Sequence, residues 1–298
     1  MLPETPWRSE AVLRLFLSAV VCFFLGSFLI AGFQQVTSLA WSSVRVGLLV
    51  AASAGFLGAS LLLLRNFWGP RDSLLRLALV LACFYAGLLL GAWASKLVGT
   101  IRPSVGQMII SALSLQGAVL VLVIPFLREH SARWSEAFGL NNRWGLAILL
   151  GLLVGCIFLP IGWILQNLSA EFMLRLHLKP EQQQVVQTLQ TDHASAARAL
   201  FGVISVVLVP PAEESFFRGI LYPWIKRAGF PRLALWGTAL AFAATHSNLM
   251  SFIPLAAFAL ALTLLYERTG NLLAPIAAHA FFNAANMAKL YFLESTLT

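Results

Sequence analysis

Eight stretches of this 298-residue chain, each fourteen residues or longer, contain no Asp, Glu, Lys or Arg: 15–44, 46–64, 77–95, 103–127, 144–170, 199–212, 233–266 and 269–288. A bilayer core about 30 Å thick is crossed by about 20 apolar residues as helix, and within it every backbone polar group must be satisfied by the protein itself. Runs of this length and number predict an all-α fold, a polytopic transmembrane helical bundle. Two runs need adjustment. The 34 residues of 233–266 are too many for one span, and Ser247, Asn248, Ser251 and Pro254 offer a turn, so two helices are expected there. The run 199–212 is too short alone and must continue through Glu213 and Glu214. The expected total is eight or nine transmembrane helices.

Composition closes off other classes. Hydrophobic residues make up 59% of the chain and charged residues 11%, against roughly half and a quarter in soluble domains. Too few polar side chains remain to cover a surface in water, which excludes a secreted globular enzyme, a disordered scaffold and a nucleic-acid-binding domain. The net charge of +8 does not reopen the last of these, because the basic residues punctuate the apolar runs instead of clustering. Arg8, Arg14, Arg65, Arg71, Arg76, Arg128, Arg133, Arg143, Lys226, Arg227 and Arg232 fall on one side of the predicted spans, against Arg45, Lys96 and Arg102 on the other. Cytoplasmic loops retain Lys and Arg, so the N-terminus is expected in the cytoplasm and the protein in the cell membrane. The first run lacks a cleavage site and is expected to be a retained helix.

Several features read as structure. Cys22, Cys83 and Cys156 lie far apart inside apolar runs, as small buried hydrophobes do. Trp7, Trp41, Trp68 and Trp144 stand near span ends, where an interfacial aromatic belt forms. Glycines and alanines in 46–60 and 271–288 suit close helix packing. The polar stretch 171–198 is either an amphipathic helix at the interface, built on Val185, Val186 and Leu189, or a solvated loop.

Chemistry is expected where polar groups stand in hydrocarbon, because such groups are costly there. Of twelve acidic residues, Glu213 and Glu214 alone fall inside an apolar segment, and of five histidines only His246 and His279 do. Pro210-Pro211 interrupts the helical ladder just upstream of the glutamates. Glu214 and Arg218 are i,i+4 neighbours with the acid first, the favourable order for an ion pair. Glu213, five residues from Arg218, lies about 140° round the helix from it and so faces elsewhere. Phe242 and His246 are one turn apart, as are His279 and Asn283. Counted from Lys226, Arg232 and Arg268 at 1.5 Å per residue, Glu213 and His246 both come about 20 Å into the bilayer and Asn283 about 22 Å. A shared polar pocket is expected.

In these residues the chain resembles the CAAX protease and bacteriocin-processing family of intramembrane proteases, which includes the type II CAAX prenyl endopeptidases. The Glu-Glu-x-x-x-Arg element is matched by Glu213, Glu214 and Arg218, Phe-x-x-x-His by Phe242 and His246, and His-x-x-x-Asn by His279 and Asn283, in that order. Thirty-three residues separate Glu213 from His246, and again His246 from His279. The resemblance covers about 199–290. It implies a division into N-terminal transmembrane helices with an interfacial loop, 1–198, and a catalytic helical core, 199–292. It further implies an endopeptidase of membrane-associated peptides or lipidated proteins, in which Glu213 and His246 activate a water and His279 with Asn283 stabilise the oxyanion. Glu214, Arg218 and Phe242 would support them.

Two versions of that chemistry stand side by side. Glu213, His246 and His279 have the donor types of a catalytic zinc site with one open position, and the family is often labelled metalloprotease; a glutamate-activated water needs no metal, and the His-Glu-x-x-His pattern is absent. Two other functions compete. A small-ion transporter would need a polar path through many helices, whereas the first five runs hold hardly any ionisable group. A non-catalytic binding or immunity protein of the same fold would be favoured by loss of a motif residue, and none is lost.

Overall fold

The computed structural model describes residues 7–37, 104–191 and 195–293, with isolated helical positions between 47 and 58. The described residues are helical, with no strand among them. Five helices are long and apolar enough to cross a membrane: Ser9–Ala31, Val105–Glu129, Trp144–Arg175, Ala196–Arg227 and Leu249–Thr269. The chain is a helical integral membrane protein. The run 77–95 and all but those isolated positions of 46–64, with Cys83, Trp41 and Trp68, lie outside the described residues.

The chain forms two compact units, one of residues 8–126 and one of residues 1–7 with 127–298. In the first, helix α1 (Ser9–Thr37) crosses the helix α2 that begins at Val105. A Cβ at Gly26 would overlap the Ser114 side chain, so the crossing needs glycine. The start of α2 is capped reciprocally: Gln107 N–H donates to Ser104 Oγ, and Ser104 N–H donates to Gln107 Oε1.

The second unit holds the polar residues. Helix α3 (Trp144–Arg175) is apolar all round, yet its faces differ. Gly151, Gly155, Phe158 and Gly162 are buried, while Leu149, Leu152, Leu153, Ile157, Ile161 and Ile164 are exposed, a surface suited to lipid. The glycine face receives helix α8 (Leu273–Ala288): a Cβ at Gly155 would stand 2.9 Å from the Ala278 carbonyl oxygen. The alanines expected to pack closely in 271–288 do so here, backbone against backbone. Phe158, Phe258 and Phe282 stack beside this contact to form the core.

The polar stretch that follows divides. Helix α3 continues to Arg175, helix α4 spans Gln184–Thr191, and Ser195 already starts the next helix; His193 lies outside the described residues. In α4, Leu189 is fully buried and Val185 and Val186 are half-buried, the amphipathic arrangement expected.

Helix α5 (Ala196–Arg227) is one rod through the two glutamates, as the short run required. It contains two wide π segments, Ile204–Leu208 and Ser215–Leu221, on either side of Val209–Glu214. The long run splits as anticipated into α6 (Pro231–Thr245) and α7 (Leu249–Thr269). Ser247 takes a left-handed φ of 48°, and Asn248 caps α7 by accepting the Ser251 N–H at 2.9 Å. Gly270, at φ 61°, closes α7 in the left-handed conformation that glycine adopts without steric cost. Buried Asn271 then fixes the start of α8, donating to the Asn142 carbonyl and accepting the Leu273 N–H.

Candidate active site

The centre is a buried relay of charge from α5 to α8. Glu214 is fully buried and Arg218 is 1% exposed. Arg218 Nη1 donates to Glu214 Oε1 at 2.9 Å, Nη2 donates to the Ala259 carbonyl at 3.1 Å, and Nε donates to Thr263 Oγ1 at 3.4 Å. The guanidinium carbon also stands 4.7 Å from the centre of the Phe242 ring, a cation–π contact. The i,i+4 pair expected from the spacing is therefore made. Such a pair is tolerable in an apolar core only because its remaining donors are satisfied.

His279 adds the second helix. Its Nδ1 lies 2.8 Å from Glu214 Oε1; a carboxylate only accepts, so the ring donates from Nδ1. The same ring presents Nε2 toward Glu213, 3.9 Å from Oε2. Glu214 is thus held by two donors, while the Glu213 side chain keeps 12% of its surface exposed. Phe242 and Phe258 flank His279 edge-on, at 5.7 and 5.8 Å between ring centres.

His246 sits at the C-terminal cap of α6, half-buried. Its Nδ1 lies 3.0 Å from the Phe242 carbonyl oxygen, which fixes that nitrogen as the donor and leaves Nε2 with the lone pair in the neutral ring. His246 joins the group through Phe242: that ring lies 5.1 Å from His246 and also contacts His279 and Arg218. Three polar groups from three helices meet around one aromatic ring.

Asn283, one turn along α8 from His279, has a backbone partner on α5. Asn283 Nδ2 donates to the Ser205 carbonyl at 2.9 Å. The reason lies in Pro210. The rod there is π-wound, with Val209 N–H donating to Ile204 O five residues back; the next donor in that ladder would be residue 210, which has no N–H. Ser205 O is left open, and Asn283 takes it. The prolines signalled an interruption, but not which side chain would fill it.

Trp7, two positions before α1, is 7% exposed, and its Nε1 donates to the Gly219 carbonyl at 3.0 Å, a partner that the sequence does not announce. Trp144, by contrast, is 63% exposed at the start of α3. Among the described residues, no group of three His, Cys, Asp or Glu side chains could hold a metal ion. The set Glu213, His246 and His279 does not fit zinc as the side chains stand, and one carboxylate–imidazole approach, at 3.9 Å, is a pair rather than a ligand shell.

Residues 195–285 match the family model described as Type II CAAX prenyl endopeptidase Rce1-like. The matched residues take in all three motif pairs, from Glu213 to Asn283, in agreement with the resemblance. Over 94 residues the chain is 35% identical to the uncharacterized protein YpbD of Bacillus subtilis (strain 168), covering 30% of this chain and 46% of that one. The chain thus spans a little under half the length of the curated relative it matches. No solved structure gives a significant match.

Proposed function

We propose that this protein is an intramembrane endopeptidase whose catalytic core lies within 199–292 and which hydrolyses a peptide bond of a membrane-associated substrate through a glutamate-activated water. The observation that carries the reading is the unequal treatment of two adjacent carboxylates. Glu214 Oε1 is held by Arg218 and His279 in full burial, while the Glu213 side chain keeps 12% of its surface exposed and turns its buried Oε2 toward His279 Nε2. One acid serves the core, and the chemistry falls to its partly exposed neighbour.

Glu213 takes a proton from water as general base, and the hydroxide so formed attacks the scissile carbonyl carbon. His246 Nε2, bearing the lone pair, accepts a hydrogen bond from the same water. The developing oxyanion is met by the second N–H of Asn283 Nδ2 and by His279 Nε2. Donation from that nitrogen requires the imidazolium, whose charge balances the second carboxylate of the cluster. Such donors act most strongly where water is excluded. The proton held on Glu213 then passes to the departing amine, so that water is divided between the acyl and amine products. The family match makes a prenylated C-terminal peptide, or another lipidated protein, the substrate class to try first, in a cell membrane with the N-terminus cytoplasmic.

The test is cleavage of membrane-tethered and prenylated peptides by purified protein in detergent, with and without a strong chelator. Glu213→Gln should fold normally and lose activity by a factor on the order of 100 or more. Full activity in that variant would refute the assignment, and activity abolished by chelation would replace the metal-free water with a metal-bound one.

A further inference from the structure

The rod that carries the glutamates contains a second proline gap, and its filler comes from the other end of the sequence. Tyr222 N–H still donates five residues back, to the Phe217 carbonyl, and Pro223, next along, has no N–H; where the winding passes from π to α, the carbonyls of Arg218 and Gly219, five and four residues back, lose that donor. Trp7 Nε1 donates to the Gly219 carbonyl at 3.0 Å in a buried setting. The local geometry is made for an outside donor. Gly219 has no Cβ, and one placed there would come 2.5 Å from the Phe138 ring, so only glycine lets the backbone seat against fully buried Phe138 while its carbonyl turns to the indole. The Trp7 ring is held in turn by an edge contact to His130 at 5.1 Å.

The two gaps bracket the chemistry. Ser205 O, filled by Asn283, lies before Glu213 and Glu214; Gly219 O, filled by Trp7, adjoins Arg218. Between them the rod changes winding twice, from π to α and back. A π segment has looser hydrogen bonding than an α-helix and is found mostly where function requires a special side-chain placement. Its orientation is set by what grips the ends.

We infer that Trp7 is a positioning residue: by completing the Gly219 carbonyl that Pro223 leaves open, it holds the π segment Ser215–Leu221 in the rotation that aims Arg218 at Glu214 and leaves Glu213 facing the site. This rests on the endopeptidase reading for its activity readout only. The segment's geometry has a readout of its own, the rate at which a hydrophobic carbodiimide modifies Glu213.

The experiment uses the full-length protein in detergent and three variants: Trp7→Phe, which keeps a ring and removes the donor; Pro223→Ala, which restores the backbone N–H; and both together. A buried carbonyl left without a donor is costly, so Trp7→Phe should lower Tm by about 3 °C or more. It should change the Glu213 modification rate by about threefold or more as the segment opens locally. It should also reduce kcat by about tenfold with KM nearly constant, as misplacement of a catalytic group does. Pro223→Ala alone should match the parent protein, and in the double variant all three readouts should return toward parental values. If Trp7→Phe leaves Glu213 modification unchanged, or if Pro223→Ala fails to rescue it, the inference is overturned. A Trp7→Phe chain too unstable to purify would itself be decided by the double variant, whose recovery supports the inference and whose failure ends it. Should no peptide be cleaved by the parent protein, the endopeptidase reading falls while modification and Tm still judge Trp7.

Discussion

Removing the Arg218 guanidinium is the sharpest test of how the core tolerates its charges. In Arg218→Met the volume is nearly kept, but Glu214, fully buried, loses its guanidinium partner. Deleting one partner of a buried pair costs about 3–5 kcal/mol because the other charge is stranded. Here the lower end applies, since His279 Nδ1 still donates to the same carboxylate oxygen at 2.8 Å. Glu214→Gln leaves Arg218 with the Ala259 carbonyl, the Thr263 hydroxyl and the Phe242 ring, and should cost a comparable amount, about 3 kcal/mol. The double variant Glu214→Gln, Arg218→Met strands neither charge. Replacing both members of a buried pair is often neutral, so with single losses of about 3 kcal/mol each a coupling energy of about 6 kcal/mol is expected between the two sites. At about 2–4 °C per kcal/mol for a chain of this size class, each single variant should unfold about 6–12 °C below the parent. Thermal unfolding in detergent, followed by intrinsic tryptophan fluorescence, reads the whole cycle. Additive losses, with the double variant the worst of the three, would refute the reasoning.

Two further outcomes follow from the packing. Asn283→Ala should destabilise the protein by about 1–3 kcal/mol through the buried Ser205 carbonyl, and Pro210→Ala in the same chain should recover most of that loss in thermal unfolding. Gly155→Val should separate α3 from α8, since even a Cβ there would stand 2.9 Å from the Ala278 carbonyl oxygen, and a loss of about 1–3 kcal/mol in unfolding free energy checks it.

How much of this could be read in advance depended on the range of each interaction. The helices were legible because burial in lipid demands long charge-free runs, and the split of 233–266 was legible because Ser247 and Asn248 are residues that end and cap helices. The Glu214–Arg218 pair was legible because helical neighbours declare themselves by spacing. What spacing could not disclose is which helices turn toward one another: His279 meets Glu214 across 65 positions, and Trp7 meets Gly219 across 212. These partners include backbone carbonyls, which every residue carries and which acquire meaning only where a proline removes the local donor. The Gly219 contact of Trp7 was hidden for that reason. An indole near a span end suits the interface equally well whether its N–H meets water or a buried carbonyl.

Phe242 carries Arg218 over its face and stands in ring contact with both His246 and His279, and it is fully buried. A single phenyl group is therefore the common boundary of a guanidinium and two imidazoles, none of which can drift in evolution without renegotiating the shape of the same ring. A substitution that resizes the ring therefore moves all three groups at once, and a gain in packing on one side is felt as geometry on the other.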